Sequence, residues 1–268
     1  MKRLLRGVVA TVVGVTALAC GVSQAAASAP AAPTSCADVL VLGARGSGQP
    51  QRGSASDGGT GLGPQVSSAV ERLRNDLPGR SVRVQSLKYP ARQAELLALD
   101  PQAYFGGLER GVSNAKALLA KQVGACPRQR YVLVGYSQGA MVMHRVLQDL
   151  RAEGSSATKE TRRIDAAVLL ADGDRSSADH LVSSGSAGKG RGISYLSPAD
   201  SRVRGTQVPT RLTSRVFSVC EQGDVICDYH SLLQTNAQGV DGTTVHVRSY
   251  TNAPNVLLAA DAAARRVR

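Results

Sequence analysis

The chain has 268 residues, 43% of them apolar, and a formal net charge of +12. That length suits one single-core domain and is cramped for two. With no Trp, two Phe and basic residues scattered along the chain except in the tail Arg265, Arg266 and Arg268, it lacks the stacking platforms and basic stripes of a nucleic-acid binder, and that class is set aside.

The first residues read as an export signal. Lys2, Arg3 and Arg6 form a basic start, Val8–Ala19 is apolar, and Ala25–Ala29 offers small-x-small cleavage patterns. The apolar run is too short to span about 30 Å of hydrocarbon. Residues 1–29 are therefore expected to be a signal peptide, with cleavage leaving a mature chain that starts between Ala26 and Thr34 and keeps a charge of +9 once the three basic leader residues are gone. Cys20 after Leu18-Ala19 offers lipidation as an alternative, disfavoured because Ala17 stands where a lipoprotein signal usually has Leu. No later segment reads as a membrane span, and residues 34–268 read as one domain.

In chain order, Ala37–Gly43 is a short apolar run predicted to be a buried strand. Val66, Val70, Leu73 and Leu77 recur at helical spacing between Pro64 and Pro78. Ser81–Tyr89 alternates like an edge strand. Leu108, Val112, Ala115, Leu118 and Leu119 mark a second helix. Arg130–Val134 is a strand, and Met141, Val142, Val146, Leu147 and Leu150 mark a third helix ending at Gly154. Ile164–Leu170 and Ser214–Val219 are further strands. Asn252 is placed to cap a last helix with Pro254 in its first turn, running to Ala264. Alternating strands and helices predict an α/β three-layer sandwich of the α/β-hydrolase type, with a central, mostly parallel five-stranded sheet flanked by helices. Gly46–Gly63 and Gly173–Arg211 read as loops. Both follow strands, so both should emerge at the carboxyl edge of the sheet, where such folds bind ligands.

Gly135-Tyr136-Ser137-Gln138-Gly139 matches Gly-x-Ser-x-Gly. The bare pattern arises by chance in about one such chain in four, so the context decides. Here it follows an apolar strand and opens an apolar-periodic helix, as a nucleophile elbow requires. The turn is tight and the flanking glycines relieve it, so the Ser137 oxygen should stand exposed above the sheet. The backbone N–H of Gln138 should face a developing oxyanion at the positive end of the helix.

A serine hydroxyl needs a base, and a histidine base needs an orienting carboxylate, in the chain order Ser, Asp or Glu, His. His144 lies two turns into the helix after Ser137 and points away, which suggests a surface or packed role. His180 falls in the long loop before the best acid and is expected to be solvated. His246 lies in a loop just before the last helix and is preferred over His230 as the base. Asp224 is the preferred acid, because Cys220 and Cys227 flank it and a small disulfide loop would hold it still. Glu221 and Asp228 are its rivals, otherwise expected to be exposed charges.

Apart from Cys20 there are four cysteines, and an even number in an exported chain reads as two disulfides. Three pairings are open. The short Cys220–Cys227 loop is the easiest to close, which leaves Cys36 with Cys126; the long bridge would contribute ~4–5 kcal/mol and the short one ~2–3 in a chain-entropy account. No Cys-x2-Cys or Cys/His pair stands at metal spacing, so no metal is expected.

With these residues in view, the chain resembles the cutinase family of secreted serine esterases, in its actinobacterial form. Four motifs carry the resemblance: Ala44-Arg-Gly-Ser47, Gly135-Tyr-Ser-Gln-Gly139, Cys220-x3-Asp224-x2-Cys227, and Val245-His246 with Tyr250 nearby. It departs in having three residues, Val247–Ser249, between His and Tyr where the family often has two, and in a longer Gly173–Arg211 stretch. The resemblance implies that Ser137, Asp224 and His246 are catalytic and that Ser47 and Gln138 form the oxyanion hole. It also implies no cofactor, little or no lid, and hydrolysis of cutin-type polyesters, short acyl esters or lipids. A monomer is expected. Two alternatives stand beside it: an acetylxylan esterase of the same fold, and an inactive basic cell-surface binding protein.

Overall fold

The computed structural model describes residues 36–51, 60–152, 155–196 and 207–268. The signal-peptide reading and Cys20 fall outside them, as do residues 52–59 and 197–206 of the two expected loops.

The strands are β1 (Val39–Ala44), β2 (Val82–Ser86), β3 (Arg130–Tyr136), β4 (Ile164–Leu170), β5 (Val182–Ser184) and β6 (Val216–Val219). The helices are α1 (Pro64–Asn75), α2 (Leu96–Leu99), α3 (Pro101–Ala125), α4 (Gln138–Ala152), α5 (Ser155–Arg163), α6 (Thr210–Thr213), α7 (Gly242–Arg248) and α8 (Pro254–Ala264). The strands form one sheet in the order β2-β1-β3-β4-β6-β5, and every pair is parallel. The expected count of five is thus corrected to six among the described residues. β5 falls inside the expected Gly173–Arg211 loop: its three residues, Val-Ser-Ser, have no apolar run of their own, and pairing with β6 makes them a strand. β2 lies at an edge, as its alternation predicts.

The central strands are buried on both sides. Leu40, Leu42, Leu133 and Leu169 face one core with α3 and α4 residues such as Leu108, Val112, Val142 and Val146. Val39, Val41, Val132, Val134 and Val168 face the other with Val66, Val70 and Leu73 of α1 and Val256 and Ala260 of α8. Leu and Val runs read the same on either side because each strand is covered twice. This gives the three layers of an α/β-hydrolase fold.

Two helix-level expectations change. Asn252 does not cap α8: Ala253 is the capping residue, and Asn252 instead sits at φ +52° with its side-chain oxygen accepting from Ser68 Oγ at 2.8 Å. His246 lies on α7, not in a loop, because Asp241 caps a short helix there by accepting from the Thr244 N–H at 2.9 Å.

Both expected disulfides form, Cys36–Cys126 and Cys220–Cys227. They are consistent with an oxidising, extracellular-type environment. No helix among the described residues is long and apolar enough to cross a membrane. The arginines, scattered in sequence, converge in space. Arg130, Arg162, Arg211, Arg215 and Arg268 line a cavity of about 330 Å³ where β3 and β6 begin, at the sheet edge opposite Ser137.

Candidate active site

Ser137 stands between the end of β3 and the start of α4 at φ +53°, a left-handed conformation that is unusual for a side-chain-bearing residue. Its N–H donates to Leu170 O of β4 at 2.8 Å, and its carbonyl accepts from Met141 N–H at 3.0 Å. The strand and helix on either side hold the turn in place. The two glycines are required by close approach. A Cβ on Gly139 would lie 2.1 Å from Ala44 O and 2.4 Å from Arg45 O, and one on Gly135 would lie 2.4 Å from Gly139 O. As a whole the Ser137 residue is 5% exposed, with its hydroxyl against the His246 ring.

Three elements meet at that hydroxyl. His246 Nε2 is 3.1 Å from Ser137 Oγ, and Nδ1 is 3.0 Å from both carboxylate oxygens of Asp224. Asp224 is fully buried. It accepts from Ile226 N–H at 2.7 Å and from the Tyr250 hydroxyl at 2.6 Å. Burial opposes its ionisation, but the neighbouring His246 and the hydrogen bonds from His246, Tyr250 and Ile226 outweigh this, so its carboxyl is held below the ordinary value of 3.8. Tyr250 in turn accepts from Glu221 N–H at 2.9 Å.

The disulfide holds the acid loop at both ends. The side-chain amide of Gln234 adds two more ties, to Gly223 O at 2.9 Å and Asp228 O at 2.8 Å. The three-residue gap between His246 and Tyr250 spans about one helical turn, so both side chains reach the same carboxylate.

The sequence alone left two supports of the imidazole without a role. Tyr136 of the motif stacks on His246, and its hydroxyl donates to His246 O at 2.9 Å. Tyr250, near His246 in sequence, is a donor to the acid. A tyrosine inside Gly-x-Ser-x-Gly, pointing opposite to the serine at the end of a strand, was the available signal.

On the other side of Ser137, β1 runs into Ala44-Arg-Gly-Ser47. Arg45 is 4% exposed. It donates to Gln49 O at 2.6 Å and Tyr89 O at 2.8 Å, clamping the turn that carries Ser47. The Ser47 hydroxyl lies 3.4 Å from that of Tyr104, whose ionisation burial pushes up to about 12, so Tyr104 stays protonated. Gln138 is the first residue of α4, where backbone N–H groups have no partner within the helix.

The remaining histidines lie elsewhere. His230 is exposed and pairs loosely with Asp228 at 3.5 Å. Asp228 itself is not the exposed charge expected: it is buried and accepts from Gly223 N–H at 2.9 Å. Glu221, half-buried, accepts from Ser186 and Asn255. His180 is exposed. His144 is packed and fully buried, with Nδ1 2.6 Å from Asp172 and Nε2 3.3 Å from Asp179. Beside it Arg145 pairs with Asp174 at 2.6 Å and Glu109 at 3.0 Å. Among the described residues no group of three or more His, Cys, Asp or Glu is arranged to hold a metal ion.

A hydroxyl, an imidazole and a buried carboxylate in this order can deliver an activated oxygen to an electrophilic carbon. The family model described as Cutinase matches residues 35–255. The chain belongs to the cutinase family. It is 32% identical over 143 residues to carboxylesterase Culp1 of Mycobacterium tuberculosis, a match covering 53% of this chain and 55% of that protein. It is 28% identical over 192 residues to cutinase cut1 of Trichoderma harzianum, covering 72% of this chain and 57% of the other. These alignments span about half the length of the curated cutinase relatives.

Among solved structures, a cutinase-like protein from Cryptococcus sp. superposes with a TM-score of 0.59 at 21% identity, covering 88% of this chain and 98% of that one. The catalytic core of acetyl xylan esterase from Trichoderma reesei gives 0.52 at 24% identity, covering 72% and 86%. These likenesses establish the cutinase-type fold.

Proposed function

We propose that the protein is a serine carboxylic ester hydrolase of the cutinase type, with Ser137 as nucleophile, His246 as general base and acid, and Asp224 as the carboxylate that orients the imidazole and stabilises the imidazolium it becomes. One observation carries this reading: the unbroken chain from Ser137 Oγ through His246 Nε2 and Nδ1 to Asp224, at 3.1 and 3.0 Å.

His246 takes the Ser137 proton as the oxygen attacks the ester carbonyl. The tetrahedral oxyanion is held by Ser47 and by the backbone N–H of Gln138. His246 then protonates the leaving alcohol, and the same imidazole activates a water that releases the acid and restores the serine. Asp224, held below the ordinary carboxylate range, remains charged while the imidazolium forms.

The substrates are esters of polyester, lipid or short-acyl type, the protein acting as a monomer. The 32% identity to the mycobacterial carboxylesterase supports an actinobacterial affinity. The two disulfides and the leader-like residues 1–29 support export with removal of that leader.

The test is labelling with a fluorophosphonate under oxidising conditions, beside hydrolysis of p-nitrophenyl esters of rising chain length and of acetylated xylan. Labelling at Ser137 that Ser137→Ala abolishes, together with turnover of one ester class, is expected. Absence of labelling in folded protein would return the chain to a binding role. Preference for acetylated xylan would make it a polysaccharide deacetylase.

A further inference from the structure

At the far end of the sheet from β2, a cavity of about 520 Å³ opens beside strands β5 and β6, beneath the loop that follows β4. Its walls contain neither Ser137 nor His246 nor Ser47. The volume falls among small-molecule sites, about 300–1,000 Å³.

Its floor is made of hydroxyls. Ser218 of β6 pairs in register with Leu169 of β4 and Ser183 of β5. Its side chain is therefore on the face where Leu169 contributes to the apolar core. A hydrophobic residue is the ordinary occupant of such a position. Ser218 is 3% exposed, and its Oγ has no hydrogen-bond partner. Ser183 brings a second hydroxyl to the same floor.

The walls are cationic. Arg175 and Lys189 supply the charge, and among the described residues that line the cavity none is a carboxylate. Arg175 is 6% exposed and already oriented: two of its five N–H groups donate to backbone carbonyls, of Cys227 at 3.2 Å and of Gly188. A guanidinium fixed in this way meets an oxyanion at low entropic cost.

We infer that this cavity is a second ligand site, separate from the ester-hydrolysing centre, for an anionic monosaccharide: a hydroxyl-bearing ring that carries one phosphate or carboxylate. The anion sits against Arg175 and Lys189, and a ring hydroxyl meets the Ser183 hydroxyl on the floor. A bare oxyanion leaves most of the volume unfilled, and a neutral sugar leaves the Lys189 ammonium without a counter-charge.

Calorimetric titration of the whole protein with glucose 6-phosphate, glucuronate, glucose and inorganic phosphate tests this. One-to-one binding of at least one charged sugar, about tenfold or more tighter than glucose or phosphate, is expected. The phosphate and carboxylate arms identify which oxyanion is preferred. Lys189→Ala is expected to weaken that binding by about tenfold. Ser183→Ala is expected to weaken it several-fold while its melting temperature stays level, since Ser183 is exposed on the edge strand. Both variants keep fluorophosphonate labelling of Ser137, which separates this site from the catalytic one. No saturable heat with either charged sugar, inorganic phosphate binding as tightly as the sugars, or unchanged affinity in both variants would each overturn the assignment.

Discussion

Tyr136 and His246 lie ring on ring, with centroids 5.2 Å apart and planes 19° from parallel, and the Tyr136 hydroxyl donates to the His246 carbonyl. The residue beside the nucleophile thus sets the tilt of the base. Tyr136→Phe keeps the stack and loses one hydrogen bond, worth about 1 kcal/mol. Ester hydrolysis should fall in kcat by several-fold with KM nearly constant, read from steady-state kinetics on a p-nitrophenyl ester. A change confined to KM would place Tyr136 in substrate binding instead.

Ser47→Ala removes a hydroxyl assigned to the oxyanion. Loss of one such donor typically costs ~3–4 kcal/mol of barrier, so kcat should drop by a hundredfold or more while KM changes little. An unchanged kcat would remove Ser47 from the site.

The Tyr250 hydroxyl donates to buried Asp224 and helps hold its carboxyl below the ordinary range. A carboxylate whose folded value is depressed stabilises the fold above its unfolded value of about 3.9, and that stability disappears as pH falls through the lowered value. Tyr250→Phe narrows the gap. It should reduce stability near neutrality by ~1.5–3 kcal/mol, the usual worth of a hydrogen bond to a charged group. It should also move the acid limb of the activity profile to higher pH. Urea unfolding at pH 7 and a kcat/KM profile from pH 3 to 7 measure the two effects.

The two disulfides should separate stability from catalysis. Cys36–Cys126 closes a sequence separation of 90 residues far from Ser137, whereas Cys220–Cys227 closes 7 around Asp224. Removing the long bridge with paired serines should cost ~4–5 kcal/mol of stability and leave kcat at low temperature nearly intact. Removing the short one should cost only ~2–3 kcal/mol and lower kcat sharply, because the acid loses its restraint. Unfolding curves and kinetics on both variants check the contrast.

His144 is desolvated, which disfavours its charge. Asp172 and Asp179 on either side more than reverse this and hold its ionisation well above 6.5. A histidine raised on folding stabilises fully below its unfolded value near pH 6.5, and the stability is lost as pH climbs through the folded value. Wild-type protein should therefore weaken on the alkaline side. His144→Gln should be destabilised by ~3–5 kcal/mol at pH 6, since buried carboxylates lose their partner, and should lack that alkaline decline. Denaturant unfolding from pH 6 to 10 reads both.

Much of the site was legible because its parts are local. Gly135 and Gly139 announce a turn where backbone comes within contact of backbone. Cys220 and Cys227 bracket Asp224, and β1, β3 and β4 are long apolar runs. Parts that depend on distant partners were hidden. His144 and Arg145 sit on a helix whose apolar period says nothing of charge, and their acids follow β4, 28 and 29 residues on. The Asp172-Gly-Asp174 pair at the end of a buried strand was the one available hint. β5 has no signal apart from its neighbour, and the arginine cavity gathers residues that sequence distance keeps apart.

Nucleophile and base belong to different kinds of scaffold. Ser137 is embedded between the middle strands of the sheet, whereas Asp224 and His246 ride on residues 220–250, braced internally by one covalent bridge, Tyr250 and the Gln234 amide. The two halves of the machinery touch at the Ser137–His246 hydrogen bond and at the Tyr136 ring stacked beside it. A slip of an ångström at that junction would silence the chemistry while every strand kept its place, so on warming this molecule should fall idle well before it falls apart.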